Sequence, residues 1–121
     1  GNRGYFYAPT VLDQVPDAAA VLNEEPFGPI APILPFSDEA EMLARANRPE
    51  FGLASYVVTR DPVRQRRLID ALEYGVVGVN GPIVHNPEAA LGGWKESGME
   101  TEGGPEILKP YQRIKHLSLA A

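Results

Sequence analysis

The sequence predicts an α/β fold built on an open, mainly parallel sheet. Three apolar runs with strand character, at 30–36, 53–59 and 76–79, alternate with two patterns typical of amphipathic helices. The connections are short, and each pair of consecutive strands is separated by a helix, as parallel pairing requires. Strands and helices that alternate in this way, joined by right-handed crossovers, form an open α/β sheet.

The first strand and the first helix are marked by proline and by a capping residue. The run at 30–36 contains two prolines, which lack a backbone donor, so it suits an edge or irregular strand. Asp38 is a candidate helix cap with Glu41 at the reciprocal capping position, and the apolar spacing that follows ends at Pro49. This pattern predicts a helix over 39–47.

The second strand and the second helix carry clearer signals. The run at 53–59 contains a tyrosine and two valines and is typical of a buried strand. Asp61 caps the next helix, Pro62 occupies its first position, and Gly75 stops it. The third strand, 76–79, begins directly after that glycine.

The C-terminal part of the sequence is less regular. The stretch 80–104 is rich in Gly, Pro and Asn, and long loops in compact domains are usually functional. The sequence predicts a short helix at 106–111 and a terminal strand at 114–119. We therefore divide the chain into a body, 1–111, and a tail, 112–121.

Composition excludes several classes of function. The formal net charge of −5 argues against a nucleic-acid partner, because such proteins cluster Lys and Arg to displace counterions. There is no cysteine, and His85 and His116 lie too far apart for a local metal motif, so we expect no metal site. No apolar run approaches the roughly 18 residues of a membrane span and no leader pattern is visible, so we expect a soluble, cytoplasmic protein without a membrane partner.

Several segments occur in the order and at the spacing of one enzyme family. They are Gly4–Val11, the Glu-Glu-x-Phe-Gly-Pro segment at 24–29, the two βα units, Gly78-Val79-Asn80, and the Gly-Gly-x-Lys-x-Ser-Gly loop at 92–98. Together they resemble the C-terminal part of the catalytic domain of NAD(P)-dependent aldehyde dehydrogenases. The resemblance covers nearly the whole chain.

The resemblance implies roles for particular residues. Glu25 matches the glutamate whose carboxylate accepts hydrogen bonds from the nicotinamide ribose of NAD or NADP, and Phe27 would pack beside the nicotinamide. Residues 81–88 match the loop through which the aldehyde substrate enters, and Leu91 matches a position that usually supplies an aromatic wall of the aldehyde tunnel. Residues 86–89 resemble members that oxidise succinate semialdehyde and related short acids. Without the resemblance, Glu25 would be surface charge and Phe27 a core residue.

We assign no catalytic residue to this chain. By the resemblance, the reaction needs a cysteine thiolate and a general-base glutamate, neither of which is represented in these 121 residues. A lone loop histidine such as His85 is more often a surface residue than a base. Lys95 and Ser97 are more typical of residues that fix a loop. The resemblance therefore implies an NAD(P)-dependent enzyme family, whereas the chain alone is expected to be inactive.

The terminal segment 114–119 resembles the strand by which family members join an oligomerisation sheet. An unpaired strand presents free N–H and C=O groups, so the segment predicts self-association. A non-enzymatic alternative also stays open, in which the scaffold is a stand-alone interaction or oligomerisation module and Glu25 and Phe27 are only structural.

Overall fold

The computed structural model describes residues 3–83 and 85–120. Val84, inside the loop predicted to admit substrate, lies outside the described residues. The chain divides into two compact units, Gly1–Glu50 and Phe51–Ala121.

The first unit is built on a parallel pair of strands. Strand β1 is Thr10–Asp13 and strand β2 is Ile30–Ile33. A short helix, α1, covers Ala20–Asn23 in the connection between them, and a longer helix, α2, covers Glu39–Asn47 after β2. Half-buried and exposed residues alternate along both strands, so the two-stranded sheet has one half-buried face and one face exposed to solvent.

The N-terminus of α2 is capped as the sequence predicts, with one difference. The Asp38 carboxylate accepts a hydrogen bond from the Glu41 N–H at 2.9 Å. Glu41 does not return this bond to residue 38; its carboxylate accepts from the Ser37 hydroxyl at 2.6 Å and from the Ser37 N–H at 2.9 Å. These two hydrogen bonds, together with the charge of Arg45, lower the pKa of Glu41 because they stabilise the ionised form.

The second unit contains the other parallel pair. Its first elements are strand β3, Phe51–Gly52, strand β4, Ala54–Val57, helix α3, Pro62–Ala71, and strand β5, Val76–Val79. Strand β5 pairs in parallel with β4, and α3 forms the crossover between them. This is the βαβ arrangement that the sequence predicts.

Helix α3 packs the small core of this unit. The Asp61 carboxylate accepts from the N–H groups of Val63 and Arg64, at 2.9 and 3.2 Å, so the predicted cap is confirmed. Val57 on β4 is 6% exposed, and Leu68 and Leu72 at the C-terminal end of the helix are 5% and 7% exposed. These side chains hold the helix against the sheet.

Short antiparallel pairs complete the second unit. Strands β6, β7 and β8 are Leu91–Gly92, Trp94–Lys95 and Thr101–Glu102; β7 pairs with β3, and β6 pairs with β8. A 3₁₀ helix covers Pro105–Tyr111, where the sequence predicts a short helix. It ends at the predicted boundary of the tail, but the division into body and tail stays a prediction.

The α/β fold class is confirmed, and two details differ from the sequence analysis. Each parallel ladder has only two strands, and β2 pairs with Thr10–Asp13, which the sequence analysis did not recognise as a strand. The segment predicted as a terminal strand, 114–119, is unpaired in this chain: residues 112–120 form no strand, and Ile114 is 103% exposed. A strand exists only when an edge pairs with it, and the described residues offer this segment none.

Among the helices of the described residues, none combines the length and the apolar character needed to cross a membrane.

Candidate functional site

The segment that carries Glu25 and Phe27 is a loop of the first unit, held at both ends. Before it, the Glu24 N–H donates to the Ala20 carbonyl at 2.7 Å and closes helix α1. After it, the Pro29 carbonyl accepts from the Thr10 N–H at 2.8 Å, next to the β1–β2 ladder. Within the loop, the Gly28 N–H donates to the Pro26 carbonyl at 2.9 Å, and the Gly28 carbonyl accepts from the Ile30 N–H at 2.8 Å. The loop that carries Glu25 and Phe27 is therefore fixed at both ends.

The side chains of Glu25 and Phe27 are open to solvent. Glu25 is exposed, and its carboxylate makes no hydrogen bond or ion pair with any residue that the structure describes. Phe27 is 94% exposed, so the expectation from composition alone, a core phenylalanine, is wrong. An ionised carboxylate with four unused lone-pair positions can accept from two neighbouring hydroxyl groups, and a bare aromatic ring can pack on a flat apolar ligand. Both side chains are thus accessible to a ligand.

A cavity of about 360 Å³ lies in the second unit and contains Leu91. This size is within the usual range for small-molecule sites. Most of its lining is apolar, including Val76, Ile83 and Leu91, and the polar side chains come from His85, Asn86 and Glu102. Leu91 therefore borders a space large enough for a small molecule.

The loop on one side of this cavity is fixed by a turn. The Asn86 side-chain oxygen accepts from the Glu88 N–H at 2.9 Å, and the Asn86 carbonyl accepts from the Ala89 N–H at 3.0 Å. The Gly104 N–H donates to the Pro87 carbonyl at 2.8 Å. Both Gly103 and Gly104 have positive φ, 70° and 62°, a conformation that favours glycine. The backbone on this side of the cavity is therefore held by hydrogen bonds.

The loop at 92–98 is held by contacts that agree with a structural role for Lys95 and Ser97. The Ser97 hydroxyl oxygen accepts from the Gly52 N–H at 2.9 Å. The Lys95 ammonium lies 2.7 Å from a carboxylate oxygen of Glu73. Lys95 has φ of 54°, an uncommon value for a residue with a side chain.

Asn80 has a clear role that the sequence analysis saw only as part of a motif. Its side-chain oxygen accepts from the Thr59 N–H and its side-chain nitrogen donates to the Thr59 carbonyl, each at 2.9 Å. Its own N–H donates to the Val57 carbonyl at 2.8 Å, and its φ is 55°. Asparagine tolerates this left-handed conformation, so one residue closes the end of the β4–β5 ladder.

The candidate residues are distributed over both units: Glu25 and Phe27 belong to the first, and Leu91 and the cavity belong to the second. The sequence contains no cysteine, so no thiolate nucleophile is present. Within the described ranges, no three His, Cys, Asp or Glu side chains are grouped closely enough to hold a metal ion.

The sequence motifs resemble those of a nicotinamide-dependent oxidoreductase, and comparison with known proteins identifies the family. Residues 1–117 match the profile of the aldehyde dehydrogenase family, so the chain belongs to that family. The resemblance read from the sequence motifs is thereby confirmed.

Individual relatives give the same result. The chain is 48% identical to the glutarate-semialdehyde dehydrogenase of Pseudomonas putida over 98% of its own length and 25% of that protein. It is 47% identical to the succinate-semialdehyde dehydrogenase [NADP(+)] of Escherichia coli over 96% of its own length and 24% of that protein. The chain therefore spans about a quarter of the length of the curated relatives it matches.

Solved structures share the fold. An NADP-dependent enzyme of E. coli matches with a TM-score of 0.86 and 48% identity, over 91% of this chain and 23% of that one. The NAD+ complex of an aldehyde dehydrogenase from Bacillus cereus matches with a TM-score of 0.88 and 37% identity, over 93% of this chain and 23% of that one.

Proposed function

We propose that this chain supplies the nicotinamide-ribose contact and part of the aldehyde tunnel of an NAD(P)-dependent aldehyde dehydrogenase. The aldehyde is a short semialdehyde, and the product is the corresponding carboxylic acid. The cysteine nucleophile and the general base lie on polypeptide outside these residues. A cytoplasmic location is part of the same proposal.

The observation that carries this proposal is the free carboxylate of Glu25. Glu25, which the motif singles out, has no hydrogen-bond or ion-pair partner among the described residues, so its carboxylate is free to bind a ligand, and it lies on a loop fixed at both ends. Its oxygens would accept from the ribose hydroxyls, and Phe27 would cover one side of the ring. A bound nicotinamide would supply the hydride acceptor for oxidation of the aldehyde. Glu25 and Phe27 would hold and orient it.

The substrate class is supported by the cavity at Leu91 and by the relatives. The cavity is mainly apolar with a few polar groups, which suits a short carbon chain that ends in a polar group. Relatives at 44–48% identity are named for glutarate and succinate semialdehyde. We therefore infer that Leu91 contacts the carbon chain of a semialdehyde.

The chain alone should be inactive. Attack on the aldehyde carbon needs an activated nucleophile, and the sequence has no cysteine. The Ser37 hydroxyl donates to the Glu41 carboxylate, but the lowered pKa of Glu41 makes that carboxylate a weak base. With the purified chain, NAD(P)+ and either semialdehyde, we expect no formation of reduced cofactor. Turnover above that of a buffer control would refute the assignment of the nucleophile to other polypeptide.

A chimera tests the proposal directly. This chain replaces the matching quarter of the P. putida glutarate-semialdehyde dehydrogenase, and reduction of NAD(P)+ is followed with glutarate semialdehyde. We expect turnover, and we expect the Glu25→Gln variant to raise the KM for the cofactor by at least about tenfold, because it loses hydrogen bonds to a charged acceptor. Glu24→Gln is the matched control, since Glu24 is a neighbouring exposed glutamate.

The outcomes of the chimera experiment separate the two functions. Equal cofactor KM values for the Glu25 and Glu24 variants would refute the ribose contact. A chimera that assembles normally but never turns over would favour the alternative, in which the scaffold is an interaction module.

We also propose that the chain self-associates through residues 114–119. Ile114, Leu117 and Leu119 are 103%, 73% and 83% exposed, and the segment has no strand partner within the described residues. Exposed apolar side chains on an unpaired backbone favour pairing with a second copy. Light scattering should show a mass that rises with concentration. Ile114→Lys should abolish the rise, whereas Val58→Lys, a change at another exposed apolar residue, should not; a monomer at all concentrations would contradict the proposal.

A further inference from the structure

Two residues far apart in the sequence form a bidentate contact in the first unit. Arg48 follows the C-terminal end of helix α2, and its Nη1 lies 3.3 Å from the Asp17 carboxylate. The Nη2 of the same guanidinium donates to the Asp17 main-chain carbonyl at 3.1 Å. Arg45, one turn earlier on the helix, adds a longer contact to the other Asp17 carboxylate oxygen, at 3.9 Å. The contact therefore fixes both the side chain and the backbone of residue 17.

Asp17 is in turn joined to the residue that precedes the Glu24-Glu25 pair. The Asn23 side-chain nitrogen donates to the Asp17 carbonyl and to the Ala19 carbonyl, each at 2.9 Å. Asn23 is the last residue of α1. A continuous chain of contacts thus runs from Arg48 through Asp17 and Asn23 to the start of the loop that carries Glu25.

Helix α1 alone is not stable enough to fix the N-terminal end of the loop. It has four residues, no side-chain cap and no buried residue. A helix of this length is unfavourable on its own because nucleation fixes several residues for one hydrogen bond. The other end of the loop is continuous with the β1–β2 ladder. The N-terminal end therefore depends on the side-chain contacts of Asn23 and Asp17.

We propose that Arg48 is a positioning residue for the cofactor contact, acting through Asp17 and Asn23 to hold the loop that carries Glu25. The inference rests on the proposed function for the role of Glu25, and on the hydrogen bonds and ion pairs above for the ordering of the loop. Arg48 itself touches no cofactor. Arginine suits this position because one planar group reaches a carboxylate and a carbonyl together, which an ammonium group does not reproduce.

Two Arg48 variants and one control test the inference in the 121-residue chain. Arg48→Ala removes both contacts, and Arg48→Lys keeps the charge but loses the fork. Arg66→Ala is the matched control, because Arg66 is another exposed arginine with a carboxylate partner, Asp70 at 2.9 Å, in the second unit. Thermal unfolding shows whether each variant keeps the stability of the parent chain.

The first readout is the backbone order of the loop. For the Arg48→Ala variant we expect the NMR order parameters of the Glu25 and Phe27 amides to fall from about 0.85 towards 0.6 or below. The lysine variant should fall between this value and that of the parent, and Arg66→Ala should leave both amides unchanged. If Arg48→Ala and Arg66→Ala give the same order parameters at Glu25, the inference is overturned.

The second readout is binding of nicotinamide mononucleotide, which carries the ribose that Glu25 would grip. We expect Arg48→Ala to weaken binding about fivefold at unchanged thermal stability, with partial recovery in Arg48→Lys. If the parent chain and the Arg48→Ala variant bind the probe equally well, the positioning role is refuted. A parent chain that shows no binding at probe concentrations far above about 1 mM, combined with a loop that Arg48→Ala mobilises, would count against the ribose contact and would support the ordering of the loop by Arg48.

Discussion

Replacing Gly75 with alanine should destabilise the second unit strongly. A Cβ built at this position would lie 1.6 Å from the Gly92 carbonyl oxygen and 2.7 Å from its carbon. Relief requires strand β5 and strand β6 to separate by well over 1 Å. The Gly75 N–H donates to the Gly52 carbonyl at 3.0 Å, so movement of residue 75 also strains a hydrogen bond.

The magnitude follows from these two effects. Overpacking in a well-packed site costs about 1–3 kcal/mol, and a lost backbone hydrogen bond costs about 1 kcal/mol. Since the obstacle is backbone and not a flexible side chain, we expect a loss near the upper end, about 3 kcal/mol. With a urea m-value of about 1.5 kcal/mol/M, the unfolding midpoint should fall by about 2 M.

Trp94 provides the assay, because it is the single tryptophan of the chain and lies in the second unit, on the strand that pairs with β3. Urea unfolding followed by its fluorescence therefore reports the affected part of the structure. Gly81→Ala is the matched control: a Cβ there meets nothing within 4 Å, and we expect a change within about 0.5 kcal/mol. Equal midpoints for the Gly75 and Gly81 variants would refute the close approach of the two backbones.

Further predictions concern the cap, the 92–98 loop and the cofactor. Ser37→Ala removes the hydroxyl that most lowers the pKa of Glu41, so an NMR titration should show that pKa rising. The lowered pKa stabilises the fold above the ordinary glutamate pKa of about 4.3, and this stabilisation is lost as the pH falls through the lowered value. The variant lacks part of this stabilisation, so its stability should decrease less on acidification. Ser97→Ala leaves the Gly52 N–H without its acceptor and should cost about 1–3 kcal/mol in urea unfolding. Calorimetry of the chain with NAD(P)+ should give a dissociation constant of about 1 mM or weaker, because only the nicotinamide end has contacts; micromolar binding would contradict this.

The helices could be predicted because their signals are local. Asp38 and Asp61 each lie directly before a helix and accept from N–H groups two or three residues later, so the sequence alone locates both starts. Strand β1 was missed because its partner is distant: Thr10 faces Ile30, and nothing within the four residues of β1 reveals that pairing. The two-residue strands of the second unit are too short to show any period.

The candidate site was predictable only where a motif carries it. Glu25 and Phe27 were singled out by a resemblance, and the exposure of Phe27 could not be read from composition, which favours burial for phenylalanine. The contact between Asp17 and Arg48 joins residues 31 positions apart and leaves no pattern in the sequence. Sequence reasoning finds ligand-binding residues through motifs, whereas the residues that hold them in place appear only in the folded chain.

The contacts of Asp17 with Arg48 matter more to the order of the first unit than their solvent exposure suggests. Isolated surface ion pairs contribute little, often below 1 kcal/mol, because solvent screens them. Here, however, none of the described residues up to Glu50 is buried, so this unit has no apolar core of its own to fix its loops. Its order must come from the β1–β2 ladder, the cap of α2 and the contacts of Asp17 with Arg48. A loop held by so few contacts should lose its geometry when one of them is removed, even where the change in global stability is small.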